Sequence, residues 1–244
     1  MPRFFVNKDV VGEEEIRIIG ADAFHVARSL RMAVGDTVTV LDGEGREYRC
    51  RLTRIRDEEC TAKIVESSAA GGESPVRITL FMAYPKSDKL ELVVQKAVEL
   101  GAAEIIPFES SRCIKRPKAE KTEKQTARLS RIAEEAAKQC GRAVLPTVGE
   151  PLRFSDMLKR ATECELPLFC YEGECAASLK ATLEKHSGAK SIAVIVGSEG
   201  GFSAEEAEMA TGVGCLSVNL GPRILRCETA PLYALSSISY FFEL

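Results

Sequence analysis

The chain has 244 residues, enough for one large domain or two modest ones with buried cores. Its 45% hydrophobic and 28% charged residues are ordinary for a globular protein, and no apolar run is long enough to cross a bilayer as a helix. The net charge of −3 is by itself a weak argument against a nucleic-acid partner.

The N-terminus has neither the apolar core nor the small-residue cleavage site of a signal peptide, so we expect a cytoplasmic protein. The nine cysteines contain no C-x-x-C pair, and the two histidines, His25 and His186, lie at no zinc-ligand spacing from a cysteine. We therefore expect no metal and reduced, mostly buried thiols. Two scattered histidines also give no basis for a Ser-His-Asp or Cys-His site, which disfavours hydrolases.

Residues 1–70 show the pattern of a small β-barrel domain. Alternating apolar and polar positions, separated by turn residues, predict strands at 36–41, 47–53 and 60–65, and one short helix is predicted at 21–30. A small, polar, glycine-rich segment at 67–75 follows and is the best candidate for a linker.

Residues 75–244 alternate between strand and helix patterns. Strands are predicted at 76–83, 105–108, 166–171, 191–196 and 215–220, with helices at 88–100, at 120–140 and from about 230 onward. The second of these helices is expected to bury Leu129, Ile132, Ala133, Ala136, Ala137 and Cys140. Such alternation is typical of an α/β domain with a mainly parallel sheet covered by helices on both faces.

A glycine-rich segment, VGSEGG at 196–201, follows the buried strand at 191–196 and opens a helix. Ser203 and Glu206 have the spacing of a capping box, which sets where that helix begins. The segment is neither a Walker A loop nor a dinucleotide fingerprint. It is either a site where a ligand approaches the backbone at the carboxyl end of a strand, or a tight turn without a ligand.

A second loop, NLGPRILRCETA at 219–230, has the same position after the last strand. Its two arginines, Arg223 and Arg226, and its acid, Glu228, lie beside an apolar helix. Contact with a ligand and simple capping of the helix remain equal alternatives at this point.

Residues 112–131 carry eight basic side chains against two acidic ones, which leaves a local charge of +6. Such a block can pair with phosphates, although a basic run considered alone is more often a solvated helix face.

At these residues the sequence resembles the RsmE family of 16S ribosomal RNA uridine-N3 methyltransferases, in the SPOUT (trefoil-knot) superfamily. The resemblance covers essentially the whole chain and is carried by MPRFF (1–5), HVARSLRM (25–32), QKAVELG (95–101), EAAKQCGR (135–142), VGSEGG (196–201) and LGPRILRCETA (220–230). Ser198 replaces the proline usual in the family, and Cys227 stands where threonine is common. Neither change removes a charged residue or a glycine.

The resemblance implies an N-terminal PUA-like RNA-binding domain at 1–70 and a SPOUT methyltransferase domain with a deep trefoil knot at 75–244. It further implies a homodimer that methylates N3 of one uridine, U1498, of 16S ribosomal RNA in the small ribosomal subunit. The donor is S-adenosylmethionine, bound by strand ends and loops that supply Cys170, Val196, Gly197, Glu199, Gly200, Gly201, Asn219, Leu220, Gly221, Ile224, Leu225 and Thr229.

Roles for the charged residues follow from the chemistry of that reaction. Since uracil N3–H is a poor acid, we expect Arg226 to stabilise negative charge that develops on the base. Glu199 or Glu228 could take the proton if burial raises its pKa. The RNA-binding residues are expected to be Arg3, Arg28, Arg31, Lys115, Arg116 and Arg142.

Two other functions are alternatives. A non-catalytic RNA-binding assembly factor would not bind the cofactor, and the intact glycine loops argue against it. A nucleotide-binding hydrolase would need a lysine and an acid for phosphate and magnesium, which the loops lack.

Overall fold

The computed structural model describes residues 1–69, 71–86, 88–114, 119–173 and 177–244, with the side chains of 119–121 left undescribed. Two compact units are present: Met1–Glu73 with Ala137–Leu145, and Ser74–Ala136 with Pro146–Leu244. Residues 137–145 thus belong with the first unit, although the sequence-based division into 1–70 and 75–244 assigned them to the second. Their contacts to the first unit span more than 60 positions of sequence, which no local pattern reveals.

The first unit contains five strands: β1 (Arg3–Phe5), β2 (Glu15–Ile19), β3 (Thr37–Leu41), β4 (Arg46–Arg54) and β5 (Glu59–Ala69). They form one sheet in the order β1-β3-β4-β5-β2, in which only the β1–β3 pair is parallel. Alternate side chains of β2 to β5 point to one buried core, which contains Ile16, Ile18, Val38, Val40, Cys50, Leu52, Cys60 and Ala62.

The predicted helix at 21–30 has two parts. Helix α1 (Gly20–Phe24) continues as a π-helical turn over His25–Ser29, where the Leu30 N–H donates to the His25 carbonyl at 2.9 Å. Arg31 follows with φ of 50°, in the left-handed region that non-glycine residues rarely adopt. A 3-10 turn covers Lys8–Val10.

The second unit contains eight strands: β6 (Arg77–Ala83), β7 (Ala102–Glu109), β8 (Thr147–Val148), β9 (Leu152–Arg153), β10 (Leu166–Cys170), β11 (Ala177–Ser178), β12 (Ser191–Val196) and β13 (Leu216–Asn219). All their pairings are parallel, in the order β11-β13-β10-β12-β6-β7-β8, with β9 also paired to β7. The central strands β6, β10 and β12 are almost entirely buried, as expected for a parallel sheet covered on both faces.

Among the described residues, six helices follow in chain order: α2 (Lys89–Glu99), α3 (Ala119–Cys140), α4 (Phe154–Ala161), α5 (Leu179–Lys185), α6 (Ala204–Gly212) and α7 (Thr229–Glu243). They belong to the second unit except for residues 137–140 of α3, which are part of the first. The predicted α/β alternation is therefore confirmed. The prediction that Cys140 is buried is wrong: it lies exposed in the last turn of α3, whereas Leu129, Ala133, Ala136 and Ala137 are buried. Within the described ranges, no helix combines the length and the apolarity needed to cross a membrane.

Candidate active site

Three predicted ligand-binding segments leave the same edge of the sheet. Strand β10 lies between β13 and β12, and all three are parallel, with Cys170 opposite Val218 and Phe169 opposite Ile195. The residues after Cys170, the turn at 197–201 and the loop at 220–228 therefore start beside one another. This is the edge at which open parallel sheets bind their ligands.

The turn at 197–201, called the glycine turn below, is tightly closed. The Gly201 N–H donates to the Ser198 carbonyl at 2.9 Å. The next residue, Phe202, is buried and stacks with its ring centroid 4.3 Å from that of Phe169 and 6.3 Å from that of Phe108. Aromatic packing on the C-terminal side thus holds the turn in place.

The predicted capping box is confirmed. The Glu206 N–H donates to the Ser203 hydroxyl at 3.2 Å, and the Ser203 N–H donates to the Glu206 carboxylate at 3.0 Å. That buried carboxylate also accepts the Ser111 N–H at 2.6 Å. One acid therefore fixes both the start of α6 and the loop after β7.

Arg112, in that loop, lies directly against the glycine turn. Its guanidinium donates to the Gly200 carbonyl at 3.1 Å. A Cβ added at Gly200 would lie 2.9 Å from the Arg112 Cβ and 3.2 Å from its carbonyl oxygen, which is closer than packed atoms approach. Gly200 is thus required by this close approach.

The loop at 220–228, called the arginine loop below, begins with a side-chain-to-backbone turn. The Gly221 N–H donates to Asn219 Oδ1 at 3.2 Å, and Gly221 has φ of +102°. Ile224 is 83% exposed. The loop ends where the Arg226 carbonyl accepts the first N–H groups of α7, from Thr229 at 2.8 Å and from Ala230 at 2.9 Å.

The Arg226 side chain is exposed and, among the described residues, has no hydrogen-bond or ion-pair partner. Its backbone is nevertheless fixed by the start of α7. The backbone of Arg226 is thus fixed, while no acid among the described residues neutralises its guanidinium.

Three charged side chains form a cluster at the site, in which a lysine lies between two carboxylates. Lys89 Nζ lies 3.1 Å from Glu199 Oε1 and 2.9 Å from Glu228 Oε2. Both Glu199 oxygens also accept the Lys86 N–H, at 3.1 and 3.2 Å, and the Cys227 thiol donates to Glu228 at 3.2 Å. This cluster links the loops that follow β6, β12 and β13.

The cluster shifts the pKa values of both acids downward. The hydrogen bond from Lys89 is the main reason that the pKa of Glu228 is lowered to about 2. Burial acts to raise the pKa of Glu199, but hydrogen bonds from its own N–H, from Lys89 and from Lys86 outweigh it, so this pKa is lowered as well. The condition under which one of these acids could take the proton, a pKa raised by burial, is therefore not met, because hydrogen bonds that include those from the ammonium group stabilise both carboxylates in their charged form.

The remaining predicted cofactor residues lie along the same edge. Val196 is the buried last residue of β12, and Thr229 is the exposed first residue of α7. Leu220 and Leu225 are half-buried. Cys170 is the last residue of β10, and burial raises the pKa of its thiol to about 12. The described residues contain no group of three or more potential metal ligands.

The arginines predicted to bind RNA in the first unit differ in availability. Arg31 is exposed and has no side-chain partner among the described residues, while the exposed Arg28 forms a two-pronged pair with Asp57 at 2.6–3.0 Å. Arg3 donates to the Gly141 carbonyl at 2.8 Å and pairs with Glu47. Internal contacts therefore occupy Arg3, and Arg28 and Arg31 are the more available cations.

The expectation that Arg142 contacts RNA is corrected by its burial. Its side chain is 6% exposed and pairs with Glu73 at 2.8 Å. The Glu73 carboxylate also accepts the N–H groups of Ala143 and Val144, each at 3.1 Å. Lys115 and Arg116 lie outside the described residues.

Sequence reasoning missed Lys89 and Arg112. Arg112 gave no signal beyond its place in a basic run. Lys89 did give a signal in the sequence, because it is the first residue of α2, where a cation opposes the helix dipole. A lysine at that position, just after a buried strand, indicates a nearby carboxylate.

Comparisons with known proteins agree with this geometry. The RNA methyltransferase domain family matches residues 72–239, and the RNA methyltransferase PUA domain family matches residues 18–65. The chain is 34% identical to ribosomal RNA small subunit methyltransferase E of Bacillus subtilis (strain 168), over 100% of this chain and 98% of that protein. It is 33% identical to the protein of the same name from Synechocystis, over 99% of this chain and 78% of that one.

A solved structure shows the same fold. The ribosomal RNA small subunit methyltransferase E of Neisseria gonorrhoeae, crystallised with S-adenosylmethionine, superposes with a TM-score of 0.89 at 30% identity and covers 99% of this chain and 98% of that one. The family match, the near-complete coverage and the shared fold together show that this chain belongs to the ribosomal RNA small subunit methyltransferase E family.

Proposed function

We propose that this methyltransferase transfers a methyl group from S-adenosylmethionine to N3 of a uridine in 16S ribosomal RNA, the position known as U1498 in this family. The observation that carries the proposal is the junction of three strand ends, β10, β12 and β13, beside Arg226, which pairs with no side chain that the structure describes. A ribosomal substrate also accords with a cytoplasmic location.

Parts of the backbone at this edge of the sheet face open space. A Cβ added at Gly201 or at Gly221 would meet no atom within 4 Å, so open space adjoins both loops. Backbone N–H and C=O groups in such space can bind the polar parts of a nucleoside and of an amino acid. The exposed side chain of Ile224 offers an apolar surface for an adenine ring.

When bound, S-adenosylmethionine supplies a methyl group already activated by its sulfonium, so the protein need only align the base and control charge. The uracil acquires negative charge as N3 loses its proton. Arg226 stabilises that charge, because its guanidinium remains protonated, offers a rigid fork of donors and has no acid of its own to satisfy.

Glu199 and Glu228 are weak proton acceptors, since Lys89 lowers both of their pKa values. Both carboxylates are also engaged by Lys89, so we assign the N3 proton to hydroxide or a buffer base from solvent. The two carboxylates then act as ionised partners that hold the surrounding loops.

RNA binding in the first unit is proposed for Arg28 and Arg31. Phosphate contacts are salt dependent, so replacing both with glutamine should lower the slope of log K against log salt by about 1.4–1.8. A matched control is the double change of Arg17 and Arg54 to glutamine, which removes the same charge from the same unit at two arginines that are not assigned to RNA and that pair with Glu59. An equal decrease in both double variants would contradict the assignment.

A homodimer is also proposed, supported by the exposed aromatic residues of α7. Tyr233 and Tyr240 are 42% and 73% exposed. Large exposed apolar groups on one helix are typical of interfaces. Light scattering should give twice the mass of the chain, 26.6 kDa, and a monomer would contradict the proposal.

The function is tested with radiolabelled cofactor and small ribosomal subunits that lack the modification. We expect label in one uridine of 16S RNA and the modified base to be 3-methyluridine. Label at a different base, or at the ribose, would refute the assignment. Absence of cofactor binding by calorimetry would instead favour a non-catalytic assembly factor.

A further inference from the structure

We propose that Lys89 is a positioning residue for methyl transfer: its ammonium group joins the glycine turn to the arginine loop and so fixes the place of Arg226. The inference rests on the proposed function. It follows from the position of one nitrogen about 3 Å from two carboxylates that belong to separate loops.

The geometry makes Lys89 the common partner of three strand-end loops. It is the first residue of α2, after β6. Glu199 lies in the glycine turn after β12, and Glu228 is the residue at which α7 begins, after β13. Glu228 is two residues from Arg226, so the position of this carboxylate restricts that of the guanidinium.

Electrostatics explain why the two loops depend on this lysine. Both carboxylates contact the same nitrogen, so their contacting oxygens lie within about 6 Å of each other, the sum of the two distances. Two like charges at that separation repel each other. Without the cation, the acids must either separate, which moves the loops apart, or share a proton, which raises a pKa. The other titratable group beside Nζ is the Cys227 thiol, at 3.8 Å, whose pKa burial raises to about 12, so it stays neutral.

Lys89 does not stabilise the helix to which it belongs. A cation in the first turn opposes the helix dipole, and an acid or a small polar residue would favour α2 more. The 29% exposure of the lysine side chain also limits what the pairs add to folding. We therefore assign to Lys89 the role of fixing the relative position of the two loops.

The test compares Lys89→Met with Lys89→Arg and with Lys96→Met. Lys96 is the matched control, because it lies on the same helix and pairs with one carboxylate, Glu99, at 2.8 Å, outside the site. We measure single-turnover methyl transfer at saturating cofactor between pH 6 and 9. We also measure amide hydrogen exchange at 197–201 and 220–228 in the cofactor-free protein.

For Lys89→Met at pH 8 we expect a rate about tenfold lower and exchange about tenfold faster in both loops. Both effects should become smaller toward pH 6, where one carboxylate takes up a proton and the repulsion is relieved. Lys89→Arg should retain most of the rate because it keeps the charge, and Lys96→Met should match the wild type. If Lys89→Met is too unstable to purify, Lys89→Met/Glu228→Gln removes the repulsion and should fold. Its methyl transfer should still be slow, because nothing joins the two loops, and should not vary with pH through this pair.

Wild-type rates and wild-type exchange in Lys89→Met, or in the double variant, would overturn the proposal. Amide hydrogen exchange does not depend on methyl transfer, so it tests the positioning role of Lys89 separately from the proposed function. If wild-type protein transfers no methyl group, the proposed function fails. Faster exchange confined to the two loops in Lys89→Met would then still support the positioning role of the lysine.

Discussion

Replacing Gly200 with alanine should weaken cofactor binding, because the glycine turn has no space for a methyl group on its Arg112 side. The new Cβ would lie 2.9 Å from the Arg112 Cβ and 3.2 Å from its carbonyl oxygen, so several atoms must shift by tenths of an ångström. Neither neighbour is the far end of a flexible side chain. Overpacking of this kind costs about 1–3 kcal/mol.

The protein can relieve that strain by moving either the turn or the loop that carries Arg112. In either case the 3.1 Å hydrogen bond from Arg112 to the Gly200 carbonyl is strained. If the cofactor requires the original turn, binding must restore the strain, and Kd rises by up to about 5- to 150-fold. The melting temperature should also fall, by about 2–4 °C for each kcal/mol.

Calorimetric titration with S-adenosylmethionine and differential scanning calorimetry measure both effects. Gly188→Ala is the matched control, because a Cβ there meets no atom within 4 Å and the backbone is not left-handed. If Gly200→Ala binds the cofactor as tightly as Gly188→Ala, the glycine turn is not part of the cofactor site.

Three further predictions concern charged residues. Arg226→Ala should lower turnover by about 10²- to 10³-fold with little change in cofactor affinity. Arg223→Ala, in the same loop, should leave turnover near the wild-type rate. An equal loss of turnover in both variants would contradict the role assigned to Arg226. Arg142→Met should lower the free energy of unfolding by about 1.5–3 kcal/mol, since Glu73 loses a charged partner. The same variant should leave the salt dependence of RNA binding unchanged. A smaller slope of log K against log salt would show that Arg142 contacts RNA. Because the pKa of Glu228 is lowered from 4.5 to about 2, the stability that this carboxylate contributes is present above about pH 4.5 and is lost as the pH falls toward 2. Acid unfolding of Glu228→Gln beside the wild type measures that loss, and identical acid profiles would contradict the lowered pKa.

Local sequence patterns predicted most of the second unit. Strand β12 was predicted at the residues it occupies, and α2 and α3 were predicted to within one residue at each end. The capping box of Ser203 and Glu206 was also predicted. These features depend on residues close together in the chain, where periodicity and capping chemistry are direct signals.

The contacts that organise the site could not be predicted in this way. Lys89 finds its two carboxylates 110 and 139 residues further along the chain, and Arg142 finds Glu73 69 residues earlier. Whether an arginine faces RNA or the interior depends on such partners. The direction of the Glu228 pKa depends on them too, because burial alone would have raised it.

The resemblance to a known family supplied what periodicity does not. Alternating strands and helices gave an α/β unit, but the identity of the methyl donor and of the target base came from family motifs. The deep trefoil knot stays a prediction of the same origin. A glycine turn and an arginine loop at one edge of a sheet are compatible with several ligands on physical grounds alone.

The most direct test is a crystal structure with S-adenosylhomocysteine, the product that the proposed reaction leaves behind. We expect its adenosine and amino-acid parts to lie against the residues after β10, the glycine turn and the arginine loop, with the sulfur facing Arg226. Product bound away from these three loops, or with its sulfur shielded from the arginine, would contradict the proposed site.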